Sequence, residues 1–384
     1  MEAENDTEEV IVIGAGPGGL AVAGALKKSG IDALVIDKAA AVGVSWRRHY
    51  ERLHLHTVRW LSGLPGFAIP RSYGRWVSRD GLVAYLEEYA RRLQLNVRLE
   101  TAAERLDEGP EGWRLQTSGG SLAARTVVVA TGYNHLPMVP QWPGREAFTG
   151  AFIHSAEYAN GRPYKGRDVL VVGLGNSGAE IAVDLVEAGA RRVYLSVRTP
   201  PNIQRRAILG LPIQLVGVVV SKLPGPVIDR LSLAMQARAI GSLEEFGLPA
   251  PTCGVHTRVV EDEQIPVIDV GFLASLKRGE VAVVPCVEGF EGGEVLLAGR
   301  RRLKVDAVVA ATGYRRGLEG LVGHLGVLKP NGRPLVNGAD QLPERPGLYF
   351  IGYTNPLGGN LREMAKDASR IAARVSASGR LKAV

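Results

Sequence analysis

Cysteine is nearly absent. Cys253 and Cys286 are the only two in 384 residues, so no disulfide framework braces the chain, and no Cys-x-x-Cys pair offers a thiol redox centre or a zinc site. Long apolar runs are missing too. The longest, Ile208 to Val220, is interrupted by Pro212, Gln214 and Gly217 and stops at Ser221-Lys222, too short to span a bilayer, though it leaves room for peripheral membrane contact. The stretch from Met1 to Glu9 is acidic and polar, without the basic-then-apolar order of a secretory leader. No Ser/His/Asp arrangement, metal-ligand cluster or paired acid and base stands out, which argues against a hydrolase or a metalloenzyme. The net charge is +7, yet the basic residues come in scattered pairs such as Arg91-Arg92, Arg191-Arg192 and Arg315-Arg316, so no nucleic-acid surface is expected. What remains is a cytoplasmic protein, monomer or homodimer, that acts on a small molecule.

Glycine is abundant, at 48 residues, and hydrophobic residues make up 46%. That mix suits an α/β protein with many tight strand-to-helix turns. One pattern occurs twice. The apolar run Val10 to Ile13 leads through Gly14-Ala-Gly16-Pro-Gly-Gly19 into a helix from Leu20 to Lys28, and a second strand, Asp32 to Ile36, ends at Asp37. Val169 to Val172 leads likewise through Gly173-Leu-Gly175-Asn176-Ser177-Gly178 into a helix from Ala179 to Ala188, and a strand from Arg192 to Val197 ends at Arg198. Both copies read as βαβ units. Each also closes with an apolar strand running into Ala-Thr-Gly-Tyr, at Ala130-Thr131-Gly132-Tyr133 and Ala311-Thr312-Gly313-Tyr314. A helix is expected from Asp80 to Leu93, strands near Val97 and Trp113, and a C-terminal strand Gly347 to Gly352 followed by a helix from Leu361 to Val375.

A lone G-x-G-x-x-G carries little weight, but each copy here follows a strand and opens a helix. The glycines then permit the tight turn and let the backbone approach a pyrophosphate held at the helix N-terminus. The residue ending each second strand separates the two ligands. Asp37 can accept hydrogen bonds from ribose hydroxyls and repels a 2′-phosphate, which favours FAD at the first turn. Arg198 offers a guanidinium fork to a 2′-phosphate, with the Thr199 hydroxyl beside it, which favours NADPH at the second. If Arg198 is instead a solvated strand-end charge, NADH serves as well.

Between the two units, Phe148-Thr-Gly150-Ala-Phe-Ile-His154-Ser-Ala-Glu-Tyr158 fits F-x-G-x-x-x-H-x-x-x-Y at every fixed position. In this motif the chain resembles the flavin-containing monooxygenases, and Tyr158 sets it apart from the Baeyer-Villiger branch, which ends the motif in Trp. The resemblance is nearest to the YUCCA-type enzymes acting on indole-3-pyruvate. It is carried by Gly43 to Trp46, Tyr50 to Leu53 leading into His54-Leu-His56-Thr-Val-Arg59, Gly173 to Gly178, Pro266 to Gly271 and Ala311 to Tyr314. At the position of His56, animal-type members commonly have Asn, whereas the YUCCA pattern has His there and a basic residue at Arg59. The stretches Ile203 to Leu243 and Tyr353 to Gly359 match the pattern only loosely.

The resemblance implies two Rossmann-like dinucleotide-binding domains in a glutathione-reductase-like architecture, the second inserted into the first. FAD would be bound by residues 1–160 and 315–384 and NADPH by residues 161–314, with a helical, lid-like insertion around 201–262. It further implies oxygen activation as a flavin C4a-(hydro)peroxide, with O2 as co-substrate. The oxygen would go to the carbonyl of a 2-oxo acid, as in indole-3-pyruvate to indole-3-acetate, or to the nitrogen or sulfur of an amine or sulfide. A reductase passing electrons to a partner is the alternative from another class. Candidate catalytic residues are His56, Arg59 and Asn176, with Arg59 and Arg47 able to steer a carboxylate. Candidate cofactor contacts are Gly14, Gly16, Gly19, Asp37, Lys38, Trp46, Arg47, Thr131, Gly132 and Gly352 for the flavin. For the nicotinamide nucleotide they are Gly173, Gly175, Asn176, Ser177, Gly178, Arg198, Thr199, Ala311, Thr312 and Gly313. Phe148, Gly150, His154 and Tyr158 are read as structural and gating.

Overall fold

The computed structural model describes residues 7–382, the side chains of 379–382 excepted. The chain has a mixed α/β fold and divides into two compact units. The first comprises residues up to 47, 57–136 and those from 314 on, and the second comprises 48–56 and 137–313. Residues 137–160, grouped with the first unit on sequence, therefore lie in the second. The reason is pairing: the strand Ala151–His154 runs parallel to Ala307–Ala310.

The first unit is built on a seven-stranded sheet. Its centre is Glu8–Ile13, in which Val10, Ile11 and Val12 are wholly buried, the continuous apolar run of a parallel strand covered on both faces. Leu34–Ile36 pairs with it on one side and the later part of Gly120–Val129 on the other, both parallel. The early part of Gly120–Val129 instead pairs antiparallel with Gly112–Thr117. In that neighbour, buried and exposed residues alternate, as one covered face requires. Leu348–Phe350 joins the sheet beside Val127–Val129. The helix Pro17–Lys28 starts three residues earlier than expected because Gly16 is itself the N-cap and Pro17 takes the first helical position, where its missing N–H costs nothing. The C-terminal helix, Asn360–Lys382, packs against it.

The second unit contains a five-stranded parallel sheet in the order Val281–Val284, Arg192–Ser196, Asp168–Val172, Ala307–Ala310, Ala151–His154. The helix Asn176–Glu187 covers it through Ile181, Ala182 and Leu185, and Phe272 and Leu276 complete that core. Within the insertion stand the helices Ile213–Val220, Gly225–Ala239 and Val255–Glu261. Two short strand pairings are present as well. Ile203–Arg205 runs parallel to Val267–Asp269, and Ala207–Ile208 forms a hairpin with Leu211–Pro212.

Candidate nucleotide sites and the residues around them

The two glycine turns are built alike. Gly14 has φ +115°, and a Cβ there would stand 2.5 Å from the Ala130 carbonyl oxygen; Gly173 has φ +105°, and its Cβ would stand 2.6 Å from that of Ala311. In each copy the first glycine thus allows both the left-handed turn and contact with the strand-end Ala-Thr-Gly. The last glycines, Gly19 and Gly178, lie so close to the turn that a Cβ would fall 1.8 and 1.9 Å from the carbonyl oxygens of Gly14 and Gly173. The middle glycines differ. A Cβ on Gly16 or on Gly175 meets nothing within 4 Å, so the fold does not require glycine there, while a group approaching the backbone at the helix N-terminus does. This open cradle fits a pyrophosphate.

Asp37 braces the first turn, its Oδ2 accepting the Ala15 N–H at 2.7 Å and its Oδ1 the Ala39 N–H at 2.9 Å. Two N–H donors do not exhaust a carboxylate, which offers about four lone-pair sites, so the group retains capacity for a hydroxyl. Gly43 donates to the Ala15 carbonyl at 3.0 Å and so ties the turn ahead of Trp46 to the same loop. Lys38 lies 3.2 Å from Nε2 of His135. Desolvation, then the Lys38 charge, lowers the His135 pKa from its ordinary value. Thr131 Oγ1 and the buried Tyr353 hydroxyl are 2.9 Å apart, and burial pushes the Tyr353 pKa up to about 12. Gly132 is open, as is Gly313 in the other copy, whereas Gly352 is packed against the Met364 side chain.

In the second unit Ser196 stands where Ile36 stands in the first, each accepting the N–H of the first glycine of its turn, so Val197 takes the place of Asp37 and Arg198, expected at that place, comes one residue later. Arg198 is exposed and makes no ion pair or hydrogen bond among the described residues. Thr199 follows it, half-buried, and Ser177 lies in the first turn of Asn176–Glu187. Thr312 donates its hydroxyl to the Met138 carbonyl, and the Gly313 carbonyl accepts the Met138 N–H at 3.0 Å.

The Phe148 to Tyr158 motif frames this second turn. Phe148 packs against Phe290 with the rings tilted and their centroids 5.2 Å apart, and Gly150 has no room for a Cβ between the Phe148 ring and the Asp306 carbonyl. His154 is buried. Its Nδ1 accepts the Ala156 N–H at 3.1 Å, which leaves the hydrogen on Nε2 to be donated to the Gly313 carbonyl, also at 3.1 Å. Burial lowers its pKa. Tyr158 donates to Asp184 Oδ2 at 2.7 Å, on the helix that the glycine turn opens. Desolvation and that hydrogen bond raise its pKa far above the usual phenol range. His154 therefore holds the strand-end turn and Tyr158 holds the helix, two sides of one cradle.

The structure redirects three residues that the sequence had placed near the chemistry. Asn176 clamps backbone, donating to Pro266 O at 3.1 Å and accepting from Ile268 N at 2.7 Å, which leaves its second N–H and a lone pair on Oδ1. Arg59 directs Nε and Nη1 to the carbonyls of Gly74 and Ile69, at 3.1 and 2.9 Å. Arg47 pairs with Glu87. Arg59 thus has two of its five N–H donors on backbone carbonyls, and Arg47 stands in an exposed ion pair. His56 has a partner the sequence reading missed, for its Nε2 lies 2.6 Å from Oε1 of Glu180. The signal was present: Glu180 is an acid on the core side of an apolar helix, between Ala179 and Ile181.

Paired strand-glycine-helix turns, one ending in an acid and one in a free guanidinium, define the class as a two-nucleotide oxidoreductase. The family model for pyridine nucleotide-disulphide oxidoreductases matches residues 11–208. Indole-3-pyruvate monooxygenase YUCCA1 of Oryza sativa subsp. japonica is 34% identical over 350 residues, 90% of this chain and 86% of the relative. A flavin monooxygenase from Stenotrophomonas maltophilia, solved as a mutant, superposes with a TM-score of 0.74 at 26% identity, covering 97% of this chain and 99% of its own. The OTEMO complex with FAD and NADP shares the fold, with a TM-score of 0.75 at 16% identity, covering 98% of this chain and 85% of its own. The chain belongs to the flavin-containing monooxygenases, within the broader pyridine nucleotide-disulphide oxidoreductase family, and has YUCCA-type enzymes among its relatives.

Proposed function

We propose that this protein is a cytoplasmic, FAD- and NADPH-dependent monooxygenase that uses O2 to decarboxylate a 2-oxo acid oxidatively, with indole-3-pyruvate as the model substrate and indole-3-acetate as its product. The balance is one O2, one NADPH and one proton consumed, with CO2, NADP⁺ and water released beside the shortened acid. The observation that carries the reading is the pair of open cradles at Gly16 and Gly175, one braced by Asp37 and the other edged by Arg198.

The architecture in this reading is that of two Rossmann-like nucleotide domains, the second inserted into the first. NADPH supplies the hydride and FAD the activation of oxygen; the chain contributes position and charge. In the first unit Gly14, Gly16 and Gly19 leave the helix N-terminus clear for the flavin pyrophosphate, and Asp37 accepts a ribose hydroxyl while keeping its two backbone donors. In the second, Arg198 meets the 2′-phosphate with its guanidinium, Thr199 adds a hydroxyl, and Asn176 holds the backbone of Pro266 and Ile268 at the mouth of the turn. His154 fixes the Gly313 carbonyl. Glu180 accepts from Nε2 of His56, which fixes the orientation of that ring.

The test is NADPH oxidation by FAD-loaded protein under air, with oxygen uptake and products followed for indole-3-pyruvate and for a tertiary amine and a sulfide. The one-carbon-shorter acid is the expected product. An N-oxide or sulfoxide in its place would move the reading to heteroatom oxygenation, and NADPH oxidation that needs an electron acceptor and yields no oxygenated product would make the protein a reductase.

A further inference from the structure

The second unit carries an uncovered apolar surface between Ile203 and Leu243. In the hairpin Ala207–Ile208/Leu211–Pro212, Ile208 pairs with Leu211, leaving Leu209-Gly210 as a two-residue turn. Both turn residues have positive φ, +47° and +76°. Asn, Asp and Gly suit such a turn, and a branched apolar side chain is strained in it. Leu209 nevertheless occupies the tip, 98% exposed, with Leu211 61% exposed beside it. A leucine there helps neither the hairpin nor solubility, so its role lies outside the unit. The helix that follows, Ile213–Val220, reads IQLVGVVV. A helix apolar on all sides belongs inside a protein or a membrane, yet only its first two residues, Ile213 and Gln214, are buried. Val219, Leu223, Val227 and Leu231 extend the exposed apolar surface onto the helix Gly225–Ala239.

Charge identifies the occupant. From Ile203 to Leu243 the basic residues are Arg205, Arg206, Lys222, Arg230 and Arg238, against the single acid Asp229. That acid is committed to the protein: Oδ1 accepts the His256 N–H at 2.7 Å and Oδ2 the Thr257 hydroxyl at 2.6 Å, capping the helix Val255–Glu261. A second copy meeting this face symmetrically would set basic side chains against basic ones. An anionic lipid surface would be attracted, and cytoplasmic leaflets are anionic. We infer that this hairpin and the two helices after it seat on an anionic phospholipid bilayer, with Leu209 and Leu211 entering the headgroup-acyl boundary and Arg205, Lys222 and Arg230 forming the basic rim. The contact is peripheral, since among the described residues no helix is long and apolar enough to cross a membrane.

The test is co-sedimentation of the full chain with vesicles of phosphatidylglycerol and phosphatidylcholine, and with phosphatidylcholine alone. Binding is expected to the anionic vesicles only. The variant Leu209→Asn/Leu211→Ser should weaken it about tenfold or more through loss of apolar insertion, with the thermal midpoint kept, because Asn tolerates positive φ. Lys222→Glu/Arg230→Glu should weaken it comparably through charge. The inference is overturned if the parent chain stays in the supernatant, if both variants bind as the parent does, or if neutral vesicles bind equally. It is overturned too by a vesicle-free dimer that Leu209→Asn disperses in sedimentation velocity, which would make the face a contact between copies.

Discussion

Nε2 of His56 stands 2.6 Å from Oε1 of Glu180, whose side chain is only 3% exposed. A buried acid left without its partner is costly, by about 1–3 kcal/mol or more when charged. His56→Leu should therefore destabilise the protein by about that amount, and Glu180→Gln by less, because an amide oxygen still accepts from Nε2. His56→Leu/Glu180→Leu should cost less than the two single Leu substitutions together. Urea unfolding of the four proteins measures the coupling, and strict additivity would show that the contact contributes nothing.

The two kinds of glycine in the second turn should separate binding from folding. Gly175→Ala adds a Cβ into open space, so the melting temperature should hold while the KM for NADPH rises about tenfold or more through loss of close backbone approach. Gly178→Ala drives a Cβ to 1.9 Å from the Gly173 carbonyl oxygen, and overpacking of that kind costs about 1–3 kcal/mol or more. Thermal melts and NADPH saturation curves on both variants decide it; equal melting temperatures would contradict the assignment of roles.

Arg198 has no partner among the described residues to lose, so Arg198→Ala should leave the fold intact. Charge-assisted bonds to a phosphate are roughly twice as strong as neutral ones, and losing them should raise the KM for NADPH about ten- to hundredfold, with that for NADH unchanged. If both KM values rise together, the side chain is not reading the 2′-phosphate.

His154 sets a pH dependence. Its pKa in the folded protein is lowered, first by burial, so below the ordinary imidazole value of about 6.5 the unfolded chain binds more protons than the folded one. Stability from this group is complete above that value and is lost as pH falls through it toward the lowered folded pKa. Urea midpoints from pH 8 down to 5 should fall in the parent and fall less steeply in His154→Gln; parallel profiles would remove His154 as the cause.

Much of the site was legible because glycine acts locally. A positive φ at Gly14 and Gly173, and helices that open at Gly16 and Gly175, are consequences of spacing within six residues, and the apolar strands on either side need only their own composition to be buried. Asp37 and Arg198 were readable on the same ground, as charges just past strands whose starts were marked. The helix starts were placed three residues late, since propensity sees the first Ala/Leu residue and not the glycine that caps the turn.

Polar partnership was not legible. Asn176 bonds to backbone 90 and 92 residues away, and His56 to an acid 124 residues away; Arg59 donates to carbonyls 15 and 10 residues off and Arg47 to an acid 40 residues off, which no spacing rule announces. The sequence by itself determined two strand-glycine-helix turns, their order along the chain and the charge just past each second strand, because a missing Cβ or a fixed charge is a property of one residue. Only the tertiary structure decided which donors and acceptors remain available to a ligand, because a hydrogen bond forms over about 3 Å and belongs to whichever group the fold brings there first.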